Sequence, residues 1–541
     1  MSERNRGADQ VMRQLAASGV ETVFTLSGNH IMSLFDAAID TGARLIHTRH
    51  EAAAVHMADA YGRLTGKPGV ALVTGGPGHA NASGALFTAR GADSPMVLLS
   101  GHAPASQAGW AAFQELDQAA MAAPVAKASW TIGADADIPS EIARALSLAA
   151  SGRPGPVHVS LPSDLIDEAH DGTQRAMDTG AATSAPDWSR VAAAVANAKR
   201  PVIIAGPAFA RDTLAAEMAK TAGLLGVPMI VQESPRGLND PSIGAFADVL
   251  PEADLVILAN KACDFTVRFA QPPFWHPDAT LVAISADAEQ LKLASNRKGD
   301  QAILVDADAA MTLAGLARLE GSARNIESGW PDRVANAVKY RPAEWSEPKS
   351  ATPGHMHPLE MCAAIKPIID KSDDTVLIMD GGEIGQWAQA NLATKRRITN
   401  SVTGSIGASL PFGIAARVVE PEAPVVSVMG DGTVGFHLAE FETAVRCGTP
   451  FVAIVGNDSN WNAEHQIQVN SYGANRAQGC ELTTAAYHDV CTALGGFGAL
   501  VSTQGQLSDA LDAAIASGKP ACINVMLEGH GAPKLKLPKA A

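Results

Sequence analysis

"VMGDGTVGFHLAEFETAVRCGTPFVAIVGNDSNWN", residues 428–462, is the stretch whose reading decides the fold. An apolar strand, PVVSVMG, runs into Gly430-Asp431-Gly432. A helix-like run follows, then the apolar strand FVAIVG, which ends on Asn457, Asp458 and Asn460. Parallel strands joined by a helix return to the same sheet edge, and open α/β folds bind ligands at the carboxyl ends of their strands. The glycines let a phosphate approach the backbone, and the following helix start favours negative charge. Asp431 and Asp458 then face one place as hard oxygen donors, with the Asn460 backbone carbonyl as a third. Mg²⁺ takes a few protein oxygens and completes its octahedron with phosphate and water. A dinucleotide site would need G-x-G-x-x-G after a strand, and that pattern is missing here.

Outward from this stretch the same grammar repeats. In the first third, VETVFTLSG (20–28), ARLIHTRH, GVALVTGGPG and SPMVLLSG read as strands. Between them, HIMSLFDAAID and EAAAVHMADAYGRLTG read as helices. Short Val/Leu/Ile runs, each followed by a helix, predict a parallel sheet covered on both faces. A small, polar stretch at 170–189 reads as a linker. Strands recur at PVIIAGPAF, VPMIVQE, ADLVILAN and ATLVAISAD. A Pro- and charge-rich break at 341–358 precedes TVLIMDGG, PVVSVMGDG, PFVAIVGND and ACINVML. The expected architecture is α/β: three consecutive doubly wound parallel-sheet domains over 1–172, 188–340 and 355–530, with a basic tail at 531–541. Strand order is left open.

Composition narrows the function. The 541 residues carry a net charge of −15 and are 47% hydrophobic. That balance argues against nucleic acid and anionic membrane surfaces. No apolar run reaches membrane-spanning length, and the polar N-terminus lacks the apolar core of a secretory signal. Six scattered cysteines, with no CxxC spacing, suit a reducing compartment, so a cytoplasmic protein is expected.

Asp-Gly segments with Asn-Asp about two dozen residues on resemble the thiamine-diphosphate signature. Most of that superfamily carries Asn-Asn at the second position, so Asn457-Asp458 exchanges a metal-binding amide for a carboxylate. The resemblance extends over nearly the whole chain, in the order pyrimidine-binding, central and diphosphate-binding domain. That order resembles the acetolactate synthase, benzaldehyde lyase, oxalyl-CoA decarboxylase and 2-hydroxyacyl-CoA lyase group. RHEAAA is similar to that group's glutamate segment, which makes Glu51 the acid that activates the cofactor. SVTGSIGASLPFG (401–413) is similar to the segment beneath the bent cofactor, with Ile406 as the prop and Gly404 offering its carbonyl. SGNHIMSLFDA and FQELDQAAMAAPVAKAS resemble segments of benzaldehyde lyase, which implies that His30 and Gln114 face the substrate; His79, after GGPG, is expected near the inferred pocket. The resemblance assigns cofactor contacts to Glu51, Gly404, Ile406, Gly430, Gly432, Thr433 and Trp461, and Mg²⁺ to Asp431, Asp458 and Asn460.

The implied activity is C–C bond cleavage or carboligation of a 2-hydroxyacyl compound, free or CoA-linked, or of an acyloin, through an enamine intermediate. Acetolactate synthase-like condensation of 2-keto acids, decarboxylation of a 2-keto acid or oxalyl-CoA, and a catalytically silent cofactor-binding homologue stand as alternatives. The resemblance also implies a homodimer or homotetramer with the cofactor between chains, and leaves FAD or ADP in the central domain open. Lys534, Lys536 and Lys539 of the tail are candidates to screen CoA phosphates.

Overall fold

The fold follows from where the apolar runs stop. In the computed structural model, which describes residues 5–178 and 186–538, they form three sheets of six, five and six strands. Every ladder between these strands is parallel. With strands numbered in chain order within each sheet, the first and third share the order 2-1-3-4-6-5, and the second reads 5-4-3-1-2. The predicted strands are all present, among them Thr22–Leu26, Gly69–Val73, Val425–Gly430 and Val452–Asn457.

Both faces of each sheet are covered, as continuous apolar runs require. In Pro201–Ala205, Val202 and Ile204 join one apolar cluster while Ile203 and Ala205 join another. Alternate side chains of one strand therefore feed two cores. All six cysteines are free thiols. Among the described residues no helix is long and apolar enough to cross a membrane. Lys539 lies outside the described residues.

By contact density the chain divides into two compact units. One holds the first sheet together with Ile414–Glu420 and Ala439–Gly448; the other holds the second and third sheets. The run after Gly430-Asp431-Gly432 is thus not one helix, as the sequence suggested. It is a single turn, Asp431–Val434, followed by a separate helix, Glu440–Cys447, that belongs with the first sheet. There the buried Glu440 accepts the Arg49 N–H at 2.9 Å and the Thr443 hydroxyl at 2.6 Å, fixing the segment that enters Glu51.

Within the second unit a mostly buried ion pair joins the two sheets. Arg397, on strand Arg396–Thr399, donates through Nε to Glu233 Oε1 at 2.6 Å, with side chains 23% and 9% exposed. Removing one member of such a pair leaves the other charge desolvated without compensation. We predict that Glu233→Ala lowers the unfolding free energy of the chain by about 3 kcal/mol in urea denaturation.

Candidate active site

Three consecutive strand ends of the third sheet build one cavity of about 280 Å³. Val376–Met379 delivers Asp380-Gly381-Gly382, Val425–Gly430 delivers Asp431-Gly432-Thr433, and Val452–Asn457 delivers Asp458, Asn460 and Trp461. Gly404 and Ile406 line the same cavity, as do Ser234, Pro235 and Arg236 from the second sheet. The nine residues predicted for this half of the site are therefore brought together: Gly404, Ile406, Gly430, Asp431, Gly432, Thr433, Asp458, Asn460 and Trp461.

Local geometry explains the residue types. Asn457 points down into the fold, its Nδ2 donating to Asn524 Oδ1 at 3.1 Å and to the Ala485 carbonyl at 3.2 Å. Ser459 sits in the left-handed region at φ 57°, so that Asp458 and Asn460 both reach the cavity. Gly432 lies against the Trp461 ring, and a Cβ there would come within 2.6 Å of it. Gly381, at φ 93°, presses on Thr433, where a Cβ would meet Oγ1 at 2.5 Å. Bare backbone at these strand ends gives a diphosphate its approach.

Asp380 holds the floor. It is buried, and accepts the N–H groups of Gly381 at 2.6 Å and of Gly407 and Ser409 at 3.0 Å each. These bonds tie the turn carrying Gly404 and Ile406 to the strand end. Burial nevertheless pushes the Asp380 carboxyl up to about 6.

The electrostatics would suit a cation. Asp431 Oδ2 accepts the Asn460 N–H at 3.2 Å. Asp458 Oδ2 and Asn460 Oδ1 are buried and have no hydrogen-bond partner. Buried oxygens without donors cost free energy unless something else satisfies them. Burial, then the neighbouring Asp431 charge, pushes Asp458 up to about 7; burial pushes Asp431 up to about 6. Among the described residues no group of three or more His, Cys, Asp or Glu converges as a metal site. Two carboxylates and an amide oxygen suit a hard divalent cation that draws its remaining ligands from a bound phosphate and water.

The remaining predicted residues lie in the other unit, around the turn Gly75–Gly78. Glu51 opens the helix Glu51–Thr65, is 9% exposed, and accepts the Asn81 amide at 3.1 Å. A Cβ on Gly78 would sit 3.5 Å from Glu51 Oε1. The buried His30 has Nδ1 3.4 Å from Thr74 Oγ1 and faces the Phe113 ring at 6.0 Å. Burial, then His102, lowers its pKa and favours the neutral ring. Gln114 adopts φ 59° beside Gly76. His79, expected next to the pocket, is instead fully buried, with its ring nitrogens on Ser100 at 2.9 Å and Ser83 at 3.1 Å.

Sequence reasoning missed Asp380, Gly381, Gly382, Glu383 and the 234–236 wall. The run IMDGGE carries the same strand-then-Gly grammar as VMGDG, a signal that could have found the first four.

A pH effect follows from the two carboxylates. Their raised folded-state values mean that without a cation their contribution to stability is present below about pH 4, the ordinary Asp value, and is lost as pH rises toward 7. We predict that the melting temperature of wild type, relative to Asp458→Asn, falls between pH 5 and pH 7.5 in chelator. Adding Mg²⁺ and thiamine diphosphate should reverse the sign of that difference.

Comparison with known proteins places this geometry. The thiamine pyrophosphate enzyme N-terminal TPP-binding domain matches residues 5–121, and the C-terminal TPP-binding domain matches residues 380–525. The chain is 30% identical to the acetolactate synthase large subunit IlvG of Mycobacterium tuberculosis, covering 96% of this chain and 95% of that one. It is 29% identical to 2-hydroxyacyl-CoA lyase 2 of Danio rerio, covering 96% and 91%, and 29% identical to the acetolactate synthase of Bacillus subtilis, covering 97% and 94%. The two matched domains hold the Glu51 turn and the Asp431–Asp458 cavity, and the chain belongs to the thiamine pyrophosphate enzymes.

Proposed function

We propose that the protein is a thiamine-diphosphate- and Mg²⁺-dependent C–C lyase or carboligase whose preferred substrates are 2-hydroxyacyl-CoA thioesters. One observation carries the choice of substrate. Beside the Asp431 cavity, and sharing Arg236 and Gln386 with it, lies a second cavity of about 650 Å³. Arg236, Arg268, Lys534 and Lys536 line it, in a chain of net charge −15. Asp248, its one acidic lining residue, accepts the Leu537 N–H at 2.8 Å. Such a field favours a polyanionic carrier over a small neutral acyloin. The relatives named as 2-hydroxyacyl-CoA lyase 2 agree with this reading.

In this reading Asp431, Asp458 and Asn460 hold the cation, and the Gly381 and Gly432 backbones admit the diphosphate. The bound cofactor supplies a carbon nucleophile and stores the electron pair of the broken C–C bond. Glu51, oriented by the Asn81 amide, would share a proton with the cofactor's aminopyrimidine. His30, neutral and buried, takes or returns the proton of the substrate hydroxyl. Gln114 hydrogen-bonds the substrate oxygen without titrating.

Acetolactate synthase-like condensation is the second reading, favoured by relatives of that name. A coupled assay decides between them. We expect aldehyde release from 2-hydroxyacyl-CoA to exceed pyruvate consumption, and Arg268→Ala to raise KM for the thioester about tenfold while leaving free acyloins unaffected. Pyruvate turnover with no aldehyde release would overturn the substrate assignment.

We further propose that Glu51 and Asp431 serve one cofactor across two copies of the chain in a homodimer or homotetramer. Mixed Glu51→Gln and Asp431→Asn proteins, each inactive alone, are expected to regain part of the wild-type rate after subunit exchange. Persistent inactivity of exchanged mixtures would exclude a shared site.

A further inference from the structure

Beneath the Gly75–Gly78 turn lies a buried amide that the proposed mechanism does not use. Gln118 begins the short helix Gln118–Ala122 and is 0% exposed. Its Oε1 accepts the Gly76 N–H at 2.8 Å. Its Nε2 donates to the Gly101 carbonyl at 3.1 Å and to Ser160 Oγ at 2.9 Å. Oxygen and nitrogen are thus both engaged, with no water required. A fully satisfied buried amide fixes the geometry around it, because any displacement strands a polar atom in the core.

The backbone groups it grips are informative. Gly76, at φ 58°, is the residue against which Gln114 rests; a Cβ there would lie 2.7 Å from Gln114 Cβ. Gly101 abuts His30; a Cβ there would lie 2.7 Å from His30 Cβ. Two residues beyond Gly76, Gly78 faces Glu51. One side chain therefore bonds directly to the two glycines that seat the substrate-facing candidates, in the same turn that borders the acid.

The base of this network is neutral. Ser160 Oγ stands 3.4 Å from His158 Nε2, His158 Nδ1 meets Ser129 Oγ at 2.8 Å, and the rings of His158 and His79 lie 4.4 Å apart. Burial pushes His79 down to about 4 and His158 well below its ordinary range, so neither carries charge near neutral pH.

We propose that Gln118 is a positioning residue: its amide clamps Gly76 to Gly101 and so sets His30, Gln114 and Glu51 in register for catalysis. The inference rests on the roles given to those three residues above.

The test uses the whole protein loaded with thiamine diphosphate and Mg²⁺. Gln118→Met keeps the volume and removes all three hydrogen bonds. Gln118→Glu keeps the acceptor for Gly76. Ser129→Ala weakens the far end of the network and controls for simple loss of stability. Two readouts apply: exchange of the cofactor C2 proton, and amide hydrogen exchange over residues 73–79 and 99–103. Gln118→Met is expected to slow C2 exchange roughly 10- to 100-fold and to unprotect the Gly76 amide, because small misplacements of positioned groups carry penalties of that size. Gln118→Glu should restore Gly76 protection and part of the rate, and Ser129→Ala should lower the melting temperature with C2 exchange unchanged. If Gln118→Met is slowed no more than Ser129→Ala, or Gln118→Glu protects Gly76 no better than Gln118→Met, the positioning role is wrong. Should Gln118→Met fail to fold, Gln118→Glu is compared with wild type, and loss of Gly76 protection there overturns the proposal. Glu51→Gln separates the two claims: unchanged C2 exchange in that variant refutes the acid assignment, while the Gly76 readout still judges Gln118.

Discussion

Two carboxylates and an amide oxygen share one pocket with too few donors to satisfy them. Asp458 Oδ2 and Asn460 Oδ1 are buried without partners, and Asp431 stands close enough to raise its neighbour's affinity for a proton. A chain that only needed to fold would avoid this, since like charges and orphaned acceptors both destabilise. A divalent cation would resolve the conflict, and with two protein carboxylates it would still need oxygens from elsewhere. The rest of the cavity answers that need. Gly381 and Gly432 clear the backbone, Ser459 turns the loop, and Asp380 anchors the floor beneath Gly404 and Ile406.

The first unit shows a different economy of polar groups. Its buried amides, hydroxyls and imidazoles are paired almost completely around the Gly75–Gly78 turn. A satisfied network there holds geometry constant, where the cation pocket stores an unmet demand. The contrast suits the proposed division of labour, one unit orienting groups that exchange protons and the other capturing charge.

Much of the fold was legible because central strands are buried on both faces and read as unbroken apolar runs. The strands that escaped are Pro156–Pro162, Ala128–Thr131, Ala302–Val305, Arg396–Thr399 and Phe497–Val501, and all but the first are edge strands. Edge strands are short, half-exposed and tolerant of charge, as the two arginines of Arg396–Thr399 illustrate. Strand order was beyond reach for a related reason: apolar runs report burial, not neighbours. At the site, residues flanking Gly-rich turns were readable, while the 234–236 wall was not, since it comes from a different sheet. Gln118 looked like any polar residue on a short helix; only its three partners distinguish it. His79 misled because a histidine after a Gly-Pro turn reads alike whether it faces a ligand or the core.

Calorimetric titration of thiamine diphosphate into the chelated protein, with and without Mg²⁺, tests the central claim most directly. Tight binding only with the cation, abolished in Asp431→Asn, is the predicted result. Equal affinity in its absence, or an Asp431→Asn protein that binds as well as wild type, would contradict it.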